Sequence, residues 1–405
     1  MTLDPTFIRS LFPAFAEPAL RDRAFFDNAG GSYPCRFVTD RLERFYRERK
    51  VQPYEAYDAS RLGGEEMDEA QVRLAAMLGV DSDEVSFGPS TTQNTYVLSQ
   101  AFRQWLSPGD AIVVTNQDHE ANTGPWRRLA DAGIEVREWQ VDPETGHLDI
   151  DALTPLVDGA KLLCFPHCSN GVAEVNDVAA ITDVAHAAGA VVCVDGVSYA
   201  PHGFADVGAL GADIYLFSAY KTYGPHQGVM VIRRALGEAL PNQGHYFNGY
   251  SLYKRFTPAG PDHAQVAASA GMADYVDALA DHLGATGGPA ARCAAVHDAM
   301  RAQEVALLKP LLEYVTSRNS LRLVGPDNAE NRAPTVAVAA EKRGADLAAA
   351  LVPHGINAAG GDFYAVRPLS AMGVDPDHGV LRMSFTHYTT PAEVDRLIGA
   401  LDQVL

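Results

Sequence analysis

The chain has 405 residues, with 32 basic and 51 acidic side chains and a formal net charge of −19. That balance argues against nucleic acid or anionic membrane as a principal partner, while leaving room for a local basic pocket. The length exceeds what one core usually supports, so two domains are expected. The apolar runs are strand-sized and interrupted, and none approaches a membrane span. The N-terminal stretch M-T-L-D-P-T-F-I-R-S-L-F lacks the basic start and long apolar run of a signal peptide. Five cysteines, an odd number in a large chain, fit a reduced cytoplasmic compartment.

In chain order, the first stretch with a chemical reading is G-P-S-T-T-Q-N-T-Y (88–96), a turn opening into a helix. Ser90 or Thr91 is the expected N-cap. The free N–H groups of the first turn, together with hydroxyls, make a cradle for a phosphate. The run Ala111–Thr115 reads as a strand, and D-H-E-A-N (118–122) follows it. From there His119 could stack on a planar ring and assist proton transfer. An amphipathic pattern then covers Asn122–Ala132. A second strand, Lys161–Phe165, leads into P-H-C-S-N-G (166–171), where Asn170 is a candidate hydrogen-bonding partner for a cofactor or a substrate carboxylate. Cys164, His167 and Cys168 crowd this stretch, but one cluster without a second is a poor zinc pattern, and no metal is expected.

A helical pattern over Val178–Ala188 is followed by three more strands, Ala190–Val194, Ile214–Ser218 and Val229–Ile232. Unbroken apolar strands alternating with helices imply a mostly parallel sheet covered on both faces. Ligands on such sheets bind outside the carboxyl ends of the strands. Asp195 and Ser218 fall at those ends, and Lys221 follows in S-A-Y-K-T-Y-G-P-H-Q-G. An acid and a lysine so placed suit a pyridine cofactor, with a carboxylate against the ring nitrogen and an amine to hold the aldehyde as a Schiff base. Asp195 and Lys221 are the candidates, and the expected cofactor is pyridoxal 5'-phosphate (PLP). Read alone, Asp195 would cap the turn made by Gly196, and Lys221 would be a surface lysine. No GxGxxG fingerprint or Walker loop favours a nucleotide instead.

From Asp262 to Arg318 the pattern is helical, with a break at 284–289. Strands are expected near Thr335–Val338 and Leu381–Phe385, and a closing helix from Pro391 with Thr390 as N-cap. Arg382 lies inside the apolar run G-V-L-R-M-S-F. A buried arginine needs an anion, and its fork suits an amino-acid carboxylate; an internal ion pair, for example to Asp362, is the alternative. Arg367 is a weaker candidate. The domain reading is a large cofactor-binding domain over 21–285 and a small α/β domain from 1–20 and 286–405.

Taken together, these segments resemble the class V aminotransferase family of PLP fold type I, especially its cysteine desulfurase-like branch. The matching pieces are F-D-N-A-G-G (26–31), S-T-T-Q-N (90–94), D-H-E-A-N (118–122), H-C-S-N-G (167–171) and H-A-A-G-A-V-V-C-V-D-G (186–196). They continue with A-P-H (200–202), S-A-Y-K-T-Y-G-P (218–225) and L-R-M-S-F-T-H-Y-T-T-P-A-E-V-D-R-L (381–397). The resemblance implies that Lys221 forms the Schiff base, Asp195 meets the pyridinium, and His119 stacks on the ring. It also implies that Thr91, Thr92 and Ser218 contact the phosphate, Asn170 the cofactor or substrate, and Arg382 the substrate carboxylate. A homodimer with active sites completed by the partner subunit is implied as well.

Four departures qualify this. Desulfurases carry a cysteine nucleophile in an R-T-G-H-H-C-type loop, where this chain reads N-A-A-G-G-D-F-Y-A (357–365). Ser198 stands where a glutamine usually meets the ring oxygen, and Tyr220 where a histidine usually meets the phosphate. Pro261 stands where a partner-subunit threonine is common. The expectation is therefore a PLP enzyme acting at the α-carbon of a small amino acid. It would be a lyase (C–S or β-elimination) or an aminotransferase without persulfide formation. An isopenicillin-epimerase-like activity or a catalytically silent scaffold is the alternative.

Overall fold

The computed structural model describes residues 3–405. Its strands in chain order are β1 (Ala24–Phe25), β2 (Val85–Gly88), β3 (Ala111–Thr115), β4 (Glu135–Trp139), β5 (Ala160–Pro166), β6 (Val191–Asp195) and β7 (Ile214–Ser218). They continue with β8 (Gly228–Ile232), β9 (Leu321–Val324), β10 (Thr335–Ala340), β11 (Ile356–Asn357), β12 (Ala359–Gly361) and β13 (Val380–Ser384).

Seven strands form the large sheet in the order β2-β8-β7-β6-β5-β3-β4. Strands β4, β3, β5, β6 and β7 run parallel, and β8 is antiparallel to both of its neighbours. Side chains alternate between faces along each strand. Ile112, Val114, Leu216 and Met230 therefore pack on one face with Leu98, Phe102 and Trp126. Val113, Leu163, Phe217 and Val231 pack on the other with Leu74 and Leu78. Burial on both faces explains why β3, β7 and β8 read as continuous apolar runs. Successive strands move outward from β3 to β4 and then in the opposite sense from β5 to β7. The crevice where that order reverses, at the carboxyl ends of β3 and β5, is where such sheets take ligands.

A second sheet, β12-β13-β10-β9, is antiparallel throughout. Its inner face, with Val336, Val338, Leu381 and Met383, packs on Leu308, Leu311, Leu397 and Leu401. The N-terminal stretch is tied to this half: β1 pairs with β11, and Ala24 N–H donates to Gly355 O at 2.9 Å. The helix Pro289–Thr316 serves both halves. Cys293, Val296 and Met300 enter the large core, while Leu307, Leu308 and Leu311 enter the small one.

The expected fold class is the one observed. Strands β3 and β7 have the expected ends, and β6 runs one residue further, so that Asp195 is its last residue. The pattern expected as one helix over Asn122–Ala132 divides into a helix, Glu120–Arg127, and a tighter turn, Arg128–Ala132. Pro125 lies inside that helix and has no N–H to donate. Thr390 caps the last helix through a capping box with Glu393.

Candidate active site

The site is built from the ends of four parallel strands and one helix N-terminus. Gly88 and Gly228 face each other across β2 and β8. A Cβ on Gly228 would lie 2.5 Å from Thr91 N, so only glycine lets the helix Thr91–Trp105 start this close to the sheet. Ser90 is the N-cap, its Oγ accepting from Gln93 N–H at 3.1 Å. The first-turn N–H groups have no intrahelical partner. Thr91 Oγ1 lies 2.7 Å from Ser218 Oγ at the end of β7, which joins the helix start to the strand end in one pocket wall.

Asp195 closes β6 and is buried. Its Oδ1 accepts from Val197 N–H at 2.8 Å, so one oxygen does stabilise the turn, as the plainer reading had it. Burial raises its pKa to about 6, opposed by that N–H and by the charge of Lys221. A second buried acid, Asp118, stands nearby. Burial, then repulsion from Asp195, pushes it well above the carboxylate range. It accepts from Asn122 Nδ2 at 2.6 Å and from His119 N–H at 2.8 Å. Asp118 opens the D-H-E-A-N motif, and the sequence alone assigns it no role.

Lys221 ends a tight turn after β7 and is buried. Burial and then the charge of Arg382 lower its pKa to about 8, against Asp195 and Asp27. His119 accepts from Ala121 N–H through Nδ1 at 3.0 Å, which leaves Nε2 as the ring position for a proton. Burial, then Lys221 and Arg382, hold its pKa down to about 3, so the ring is neutral.

Asn170 donates from Nδ2 to Phe363 O at 2.9 Å, and its Oδ1 is buried without a partner. Arg382 lies on β13 opposite Ala337 and Ala359. Its Nη2 is 3.4 Å from Asp27 Oδ1, its Nη1 is 3.4 Å from Asn170 O, and its Nε is buried without a partner. Phe363 covers the guanidinium at 3.8 Å. The internal partner is thus Asp27 rather than Asp362, which instead accepts from Tyr364 N–H at 2.7 Å. Tyr220 stacks on His226 with centroids 4.8 Å apart. Arg367 reaches Glu120 at the rim, 3.3 Å away.

One inner pocket brings together Thr91, Thr92, His119, Asn170, Asp195, Ser198, Ser218, Tyr220 and Lys221. Arg382 borders an adjoining cleft of about 620 Å³, which shares His119, Asn170, Tyr220 and Lys221 with that pocket. The sequence did not single out Asp27, Phe363 or Tyr364, which also line the cleft. Asp27 lies in the F-D-N-A-G-G motif; the two aromatics lie where the motifs stop. Cys168 borders the inner pocket, but its Sγ is directed at the Ser169 and Ala173 carbonyls, and burial raises the thiol to about 12. All five cysteines are buried and unpaired. Among the described residues no group of three or more metal-ligating side chains occurs, and no helix is long and apolar enough to cross a membrane.

Comparison with known proteins follows the same lines. The family model "Aminotransferase class-V" matches residues 24–397. An aminotransferase-like protein, FGM3, of Gibberella zeae is 33% identical over 98% of this chain and 98% of its own length. A cysteine desulfurase of Serratia proteamaculans is 31% identical over 98% of this chain and 97% of its own. Among solved structures, the apo cysteine desulfurase of Thermococcus onnurineus NA1 superposes with a TM-score of 0.87 at 23% identity, covering 100% of this chain and 99% of its own.

Proposed function

Because the chain belongs to the class-V aminotransferase family, whose enzymes depend on PLP, we propose that it acts at the α-carbon of an amino acid as a lyase or aminotransferase without a persulfide step. The donor set fits the cofactor. A helix start with free N–H groups and hydroxyls suits the phosphate, and a buried acid suits the ring nitrogen. Two buried polar atoms, Arg382 Nε and Asn170 Oδ1, stand without partners beside them. When bound, the cofactor supplies an aldehyde that captures amines and a protonated ring that draws electrons from the α-carbon.

In this reading, Thr91, Thr92 and Ser218 hold the phosphate, with Tyr220 as a further donor in the same pocket. Asp195 keeps a proton on the ring nitrogen, an arrangement that would bring its own pKa back down. His119 would cover the ring as a neutral imidazole, and Ser198 would offer a hydroxyl in the same pocket. Lys221 Nζ is the amine for capture. With a pKa of about 8 it holds a reactive neutral fraction near neutral pH and can then take up the α-proton. Arg382 and Asn170 orient the substrate carboxylate.

The observation that carries the reading is the juxtaposition of buried Lys221 and buried Asp195 in one pocket. Lys221→Ala is expected to abolish the covalent link to the cofactor and so to shift the visible absorbance of the cofactor-loaded protein; an unchanged spectrum would refute the role. The absent persulfide step rests on the 357–365 loop, which has no cysteine, and on the high pKa of Cys168. Protein incubated with free cysteine should show no added sulfur by intact mass, and sulfur on any cysteine would overturn that part.

A further inference from the structure

The outer cleft has walls that the reaction itself does not call for. Phe363 and Tyr364 hold consecutive left-handed conformations, with φ of 55° and 57°, which residues bearing a Cβ rarely adopt. The surroundings hold both in place. Asn170 Nδ2 donates to Phe363 O, Glu120 N–H donates to Tyr364 O at 3.1 Å, and Asp362 accepts from the N–H groups of Tyr364 and Ala365. A loop fixed this firmly in a disfavoured conformation points to a functional demand.

The loop presents rings. Phe363 lies over Arg382, and Tyr364, 70% exposed, places its ring 5.4 Å from that of His119. Tyr96 and Tyr220 line the same cleft. The charges at the rim already have company, with Arg367 on Glu120 and Arg128 over the Tyr96 ring at 5.4 Å. The cleft of about 620 Å³ runs from Lys221 and Arg382 out to Tyr96 and Tyr364, so its aromatic end lies beyond the residues assigned to the substrate carboxylate.

We propose that this cleft is a side-chain subsite for amino acids with a flat aromatic side chain, with Phe363 and Tyr364 as the selecting wall. The inference rests on the reading of the protein as a PLP enzyme acting on amino acids, and it replaces the expectation of a small substrate. Aromatic rings recognise aromatic side chains by offset or edge-to-face contact as well as by shared burial.

The test is a titration of the cofactor-loaded protein with L-phenylalanine, L-alanine and L-cysteine, read by the visible spectrum and by calorimetry. Phenylalanine should bind on the order of tenfold more tightly than alanine, the factor expected from one good aromatic contact. Tyr364→Gly keeps the left-handed backbone without strain while removing the ring, and should erase most of that preference; Tyr364→Phe should retain it. Alanine or cysteine binding as tightly as phenylalanine, or a preference untouched by Tyr364→Gly, would overturn the subsite. Silence from all three amino acids with the cofactor seated would overturn the parent reading and the subsite with it.

Discussion

Asp195 shows how a single residue can serve the site at the expense of the fold. Its folded pKa of about 6 lies above the ordinary 3.8, so the native state holds its proton to higher pH than the unfolded chain does. The stabilising share of this group is present below pH 3.8 and is lost as pH rises through 6. At neutral pH the cofactor-free protein therefore carries a cost of roughly 2–3 kcal/mol for keeping this carboxylate ionised and buried. Asp195→Asn should raise the denaturation midpoint of the cofactor-free protein at pH 8, with a gain that fades as pH falls from 6 to 4, and should weaken cofactor retention. Equal stability of the two proteins at pH 8 would contradict the argument. Lys221 and Asp195 were legible in the sequence because strand ends and apolar runs announce them. Asp118 was not, because its burial beside Asp195 joins residues far apart in the chain. Phe363 and Tyr364 were invisible for another reason: a left-handed conformation in a non-glycine residue leaves no compositional trace.

Among the elements, the helix Thr91–Trp105 depends most visibly on one small neighbour. Its first turn rests against β8 at Gly228, where an added Cβ would meet Ser90 C at 2.4 Å. Those contacts are backbone atoms that no rotamer change can move. Gly228→Ala should cost about 2 kcal/mol through overpacking and should loosen the phosphate end of the cofactor, seen as a lower thermal midpoint and a higher Kd for PLP. An unchanged Kd would mean that the helix start is not the phosphate cradle. The buried parallel strands were readable because both of their faces are apolar. Strand β4, E-V-R-E-W, sits at the sheet edge with its charged positions partly exposed, and it carried no such signal. Strands β2, β9 and β12 are too short for periodicity to distinguish them from loops.

Across the whole molecule, the exposed aromatics are unevenly spread. Tyr246 is 91% exposed and Tyr250 86%, with Phe247 and Asn248 between them and Asn248 bordering a groove shared with Tyr54 and Pro261. Such a patch is unusual on a monomer. We propose it as the surface on which a homodimer would form, since the same groove borders Pro261, the position at which the resemblance implies a partner-subunit contact. Tyr246→Asp combined with Tyr250→Asp should halve the mass measured by light scattering; a monomeric unmodified protein would remove this assignment. The proposed boundary near residue 285 falls just before Pro289–Thr316, whose two ends are planted in different cores. A shared rod of this kind resists free swinging of one half against the other. The way to the buried amine therefore lies along the outer cleft, past Phe363 and Tyr364, and two halves held in register by one rod keep that passage at a constant width.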